Sequence, residues 1–109
     1  MHLALFLTLL VAQPPTDEVP RERIEEIRLD ASGQAGTIFT RPDVLGAQVS
    51  VYQFGDGLCR GYRVSDRTLN QLFAAMQSKA LVRIKAKEVP SGKTVIRCIQ
   101  AVSFFSHVK

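Results

Sequence analysis

Apolar residues in this chain recur mostly every second position, with one stretch where they recur every third or fourth. Gln48-Val49-Ser50-Val51-Tyr52-Gln53-Phe54 alternates polar and apolar, as a half-buried strand does. Gly55-Asp56-Gly57 then reads as a tight turn, and Leu58 to Val64 as the returning arm of a hairpin. On that arm Leu58, Arg60, Tyr62 and Val64 are expected to share one face, with Cys59, Gly61 and Arg63 on the other. Upstream, Ile24, Ile27 and Leu29 suit either the start of a strand or one helical turn, and Arg28 to Ala31 looks extended. Ser32-Gly33 and Gly36 allow a bend or bulge before the β-rich run Thr37-Ile38-Phe39-Thr40, and Arg41-Pro42-Asp43 is a turn signal.

The period changes after Val64. Ser65 stands where a helix N-cap belongs, and Asp66 is well placed in the first turn. Leu69, Leu72, Phe73 and Met76 follow at i, i+3, i+4 and i+7, leaving Arg67, Asn70, Gln71 and Gln77 for solvent. This spacing predicts a helix over about 65–79, ended by Ser78-Lys79. Alternation then returns: Val82, Ile84 and Ala86 interleave with Arg83, Lys85 and Lys87, Pro90 to Lys93 makes a turn, and Val95 to Phe105 is a long last strand. Along it Ile96, Cys98, Val102 and Phe104 are expected to point one way.

The first group of strands ends in the Gln48–Val64 hairpin, so the element order reads strand, strand, strand, helix, strand, strand. A mainly β domain with one helix between its third and fourth strands has the order of a five-stranded Greek-key barrel of the OB type. A ferredoxin-like sandwich would need a second helix, which the Gly-containing region 31–47 does not offer.

The chain's two ends change the picture. Leu3 to Ala12 is an apolar run of ten residues broken only by Thr8, too short to span a bilayer but the size of a signal-peptide core. No Lys or Arg precedes it, and the cleavage site is poor, with bulky Leu10 before Ala12 and Pro14-Pro15 after it. A buried N-terminal strand or helix is the other reading. The expected organisation is a signal peptide over 1–12, a Pro-containing linker over 13–22 and an OB-like domain over 23–106, in a secreted or periplasmic protein with no transmembrane span.

Two cysteines, Cys59 and Cys98, fit that compartment as a disulfide. In an OB barrel the third and fifth strands are neighbours, which would bring the two together. If the chain is not exported, both read as plain buried thiols. Neither has a Cys-x-x-Cys partner or a nearby histidine, so metal binding and thiol redox chemistry are not expected.

The net charge of +4 hides an asymmetry. Residues 1–56 hold four Lys/Arg against eight Asp/Glu, and residues 57–109 hold ten against two. A strongly basic half points to an anionic partner, or to a solvated surface or oppositely charged edges that meet in a homo-oligomer. Arg83, Lys85 and Lys87 form the sharpest candidate, an anion-contacting strip extended by Arg60 or Arg63. Its structural alternative is a solvated face or an edge strand guarded by lysines. Tyr52, Phe54 and Tyr62 could stack on bases or sugar rings, or serve the core. No nucleophile, metal or phosphate-loop motif occurs, and the two histidines, His2 and His107, lie at the chain ends. No enzyme activity, cofactor or metal is expected.

One stretch carries a family resemblance. Cys59 to Val102 joins a Cys-containing strand, the Ser65–Lys79 helix with its Leu69/Leu72/Phe73 stripe, Ala80-Leu81-Val82-Arg83-Ile84 and Arg97-Cys98-Ile99-Gln100-Ala101-Val102. This resembles the B subunits of bacterial toxins, in the Shiga-like and the pertussis and subtilase-like branches. The resemblance implies a non-catalytic OB barrel that assembles in rings of five and binds cell-surface glycans. It covers under half the chain, through structural motifs only, and the chain has no Trp. Two function classes follow: an exported binding or assembly module for a glycan or protein partner, and an OB-type single-stranded nucleic-acid binder in which residues 1–12 are not a signal.

Overall fold

The computed structural model describes residues 20–105. The expected signal peptide and most of the linker lie outside the described residues, as does His107. Five strands and one α-helix follow in order: β1 (Glu22–Leu29), β2 (Gly36–Pro42), β3 (Ser50–Phe54), α1 (Asp66–Ser78), β4 (Leu81–Ser91) and β5 (Thr94–Phe104). A single turn of 3₁₀ helix, Gly57–Cys59, lies between β3 and α1.

The strands form one sheet in the order β1-β2-β3-β5-β4, and β4 pairs back onto β1 through Glu22 opposite Val82 and Arg23 opposite Leu81. All neighbours are antiparallel except β3 and β5, which run parallel and pair at Gln53 and Cys98. Alternation puts Ile24, Ile38, Tyr52, Phe54, Val82, Ile84 and Ile99 inside, all buried. Helix α1 packs against β1 and adds Leu69, Leu72 and Ala75 to the same core, with Phe73 and Met76 partly buried beside them. Its expected polar face, Arg67, Asn70, Gln71 and Gln77, is exposed. Ser65 caps it by accepting from the Thr68 N–H at 3.1 Å, which leaves one fewer orphan donor in the first turn.

Three expectations need correction. Leu58 to Val64 is not a strand: after Phe54 the chain turns through Gly57–Cys59 and runs irregularly to the helix. Gly55 forces this. Its N–H donates to both Cys59 O and Tyr62 O, and its φ of +91° turns the chain off the sheet. A Cβ there would stand 2.3 Å from Gln34 O, so only glycine fits. The alternation expected of Leu58, Arg60, Tyr62 and Val64 therefore has no strand to carry it.

The second correction concerns β5. Its register against β4 shifts between Lys85 and Ala86, where Ala101 and Ile99 are the partners and Gln100 is the extra residue. Such a bulge resets the alternation. Ile99, Val102 and Phe104 face the core, whereas Ile96 and Cys98 face outward. Third, the apolar residues of β3 and its approach divide between two faces: Tyr52 and Phe54 are buried, and Val49 and Val51 are exposed. Outside, Val51 stands opposite Phe39, whose ring lies 4.8 Å beneath the Arg28 guanidinium.

Candidate functional site

The outer face of the β4–β5 hairpin gathers the candidate strip. Val82 and Ile84 point inward, so Arg83, Lys85 and Lys87 point outward, about 7 Å apart. Their partners on β5 are Ser103, Ala101 and Cys98, and the next outward pair is Val89 with Ile96. None of these is acidic. Glu88, the acid on β4, lies opposite Arg97 on the other face. Two like charges about 7 Å apart in water repel by about 0.6 kcal/mol, so an anion laid across the row removes a standing repulsion.

The disulfide Cys59–Cys98 joins this surface to the irregular connection before α1. The two Cα atoms are 5.3 Å apart, and both cysteines are fully buried, Cys59 at the end of the 3₁₀ turn and Cys98 on β5. Cys98 faces Lys87 across the hairpin, so the bond anchors the connection that holds Arg60 and Arg63 to that strand. Arg63 is exposed and lines a groove with Gln100 and Ala101, the latter opposite Lys85. Tyr62 is half-buried, and its backbone is tied to Cys59 and Gly55. Of the other aromatics considered for stacking, Tyr52 and Phe54 belong to the core.

Two further features lack a sequence signal. Arg83 is half-buried, with its guanidinium 5.1 Å from the centre of the Phe105 ring, and the Arg21 guanidinium lies 4.3 Å from the same ring. The strip thus continues past β4 to Arg21, just ahead of β1, through an aromatic ring that both cations share. Nothing in the local pattern around Arg21 points to β4; the pairing of β1 with β4 brings it there.

The other feature is interior. Glu22, the first residue of β1, is 1% exposed, and its carboxylate accepts from the hydroxyls of Thr40 and Tyr52, the latter at 2.6 Å. Burial, followed by this bond to Glu22, raises the Tyr52 hydroxyl above its ordinary pKa. Arg97 lies over the Tyr52 ring at 5.9 Å. The cluster ties the start of β1 to β3 and to the end of β2. Among the described residues no group of three or more His, Cys, Asp and Glu is placed to hold a metal ion, and no helix is long and apolar enough to cross a membrane.

A cavity of about 430 Å³ lies beside the start of α1, lined by Gln34, Gly55, Arg63, Val64, Ser65 and Asp66. Arg63 borders both this cavity and the groove over Gln100. No family model matches the chain, and neither curated proteins nor solved structures give a match.

Proposed function

We propose that this chain is an exported, non-catalytic binding module, built as an OB-type Greek-key barrel, that holds an acidic glycan along the outer face of β4 and β5. The observation that carries this reading is the outward row of Arg83, Lys85 and Lys87, whose cross-strand partners Ser103, Ala101 and Cys98 carry no charge, with Arg63 lining the groove beside Ala101. The pairing order and the helix between β3 and β4 suit the OB barrel. The disulfide suits the secretory route or the periplasm. The segment resembling toxin B subunits supports binding rather than catalysis.

The strip presents charge at regular intervals and little aromatic surface, which favours a linear polyanion with charged groups on its edge. Stacking of unpaired bases would need exposed rings, and Tyr52 and Phe54 are committed to the core. This favours the glycan reading over the single-stranded nucleic-acid one.

Retention on immobilised heparin, used as a sulfated polysaccharide probe, tests the proposal. The oxidised protein should be retained and should elute with moderate salt. Lys85→Glu with Lys87→Glu should abolish retention without changing the melting temperature, since both side chains are exposed. Unchanged retention would discard the strip. Tighter binding to a single-stranded oligonucleotide than to the polysaccharide would replace the reading with the nucleic-acid one.

A further inference from the structure

The connection between β2 and β3 has no role in the strip, yet it carries the most exposed apolar residues of the described chain. Leu45 is 102% exposed and Val44 60%. They sit at the tip of a turn closed by the Ala47 N–H donating to Val44 O at 3.0 Å, so the pair is held outward. Scattered single leucines on a surface are ordinary; two adjacent apolar side chains at a braced tip, one wholly in solvent, are not.

The foot of this loop is cationic. Arg23 and Arg41 line one depression with residues 42–47. Arg41 braces the loop by donating to Ala47 O at 3.0 Å while it pairs with Glu25 at 2.8 Å. The Asp43 N–H donates to Arg21 O at 2.8 Å, which sets Arg21 at the same foot, and Arg21 shares the Phe105 ring with Arg83. Arg23 and Arg41 thus line the base, Arg21 is tied to it through its backbone, and Arg83 follows at the Phe105 ring, against the two acids Glu25 and Asp43.

We propose that this end of the domain docks onto the surface of an anionic lipid bilayer. The order of chemistry outward from the sheet, cations at the base and apolar side chains at the tip, matches the order a bilayer presents inward, anionic headgroups and then acyl chains. The loop is already braced by Arg41, so little ordering is lost on docking. Neither the β4 lysines nor a glycan ligand enters this inference.

Flotation of the full, oxidised chain with phosphatidylcholine vesicles, with and without phosphatidylglycerol, is the test. Binding is expected only with the anionic lipid, and it should weaken with salt. Val44→Ser with Leu45→Ser should weaken it by at least about tenfold, from the lost apolar burial. Arg23→Gln should weaken it about fivefold. Because the chain has no tryptophan, Leu45→Trp supplies a fluorescent reporter whose emission should shift to the blue on vesicles. Vesicle binding that survives the double serine variant, or a reporter emission that does not move on vesicles, overturns the proposal. So does binding that Lys85→Glu with Lys87→Glu removes while the loop variant retains it. Loss of heparin retention alone bears only on the strip.

Discussion

The Tyr52 hydroxyl donates to the Glu22 carboxylate at 2.6 Å inside the sheet, across a gap of thirty residues, and Thr40 donates to the other carboxylate oxygen. A carboxylate taken out of water needs such partners, and the two hydroxyls need it equally. Glu22→Ala would strand both. Each buried hydroxyl left without a partner costs about 1–3 kcal/mol, so a loss of roughly 2–6 kcal/mol is expected in denaturant unfolding followed by circular dichroism. A change below about 0.5 kcal/mol would mean that the cluster does not hold the three strands together.

The same hydroxyl makes stability depend on pH at the alkaline end. Burial and then the bond to Glu22 raise its pKa in the folded state above the unfolded value of about 10. A group whose pKa is raised by folding binds its proton more tightly in the native state. Its contribution is therefore complete below about pH 10 and is lost as pH rises beyond it. The melting temperature should fall above about pH 10, and the fall should be shallower in Tyr52→Phe. Ultraviolet titration should show the buried Tyr52 ionising only as the protein unfolds. Ionisation of Tyr52 below the unfolding transition would contradict its placement.

The disulfide joins positions 39 apart, and closing such a loop in the unfolded chain contributes about 3–4 kcal/mol to stability. Cys59→Ala with Cys98→Ala should lower stability by about that amount in chemical denaturation. It should also weaken heparin retention, because the bond anchors the connection carrying Arg60 to β5, where Cys98 stands opposite Lys87. The two readouts separate: a destabilised variant that still folds and is retained as before would show that Arg60 adds nothing to the strip.

Local patterning carried much of this architecture. The i, i+3, i+4, i+7 stripe of Leu69, Leu72, Phe73 and Met76 placed α1 with its cap at Ser65, and the alternation of Val82, Ile84 and Ala86 put Arg83, Lys85 and Lys87 on one face. The Cys59–Cys98 bond followed from the closeness of β3 to β5, although Cys59 lies in the 3₁₀ turn beyond β3 and not on a strand. What escaped the pattern was decided by single backbone positions or by long-range pairing. Gly55 breaks the hairpin through a φ that only glycine takes cheaply next to Gln34 O. Gln100 resets the facing of β5 by one residue, which no periodicity reveals in advance. Glu22 reads as a linker residue because its partners, Thr40 and Tyr52, lie 18 and 30 positions away.

The end of α1 offers a final check on the backbone. Lys79 adopts φ 61°, ψ 29°, the left-handed conformation that lets the Ala80 N–H reach back to Ala75 O at 2.9 Å and stop the helix. For a residue with a Cβ this conformation costs about 1 kcal/mol, and glycine escapes it. The lysine charge partly offsets the strain, since a cation at a helix C-terminus contributes about 0.3–1 kcal/mol. Lys79→Gly should therefore leave stability unchanged or slightly raised, while Lys79→Ala, which keeps the Cβ and loses the charge, should lower it. The difference between the two variants isolates the backbone contribution at about 1 kcal/mol, or roughly 4–8 °C in melting temperature for a domain of this size. An alanine variant as stable as the glycine one would mean that Lys79 does not end the helix in the left-handed conformation.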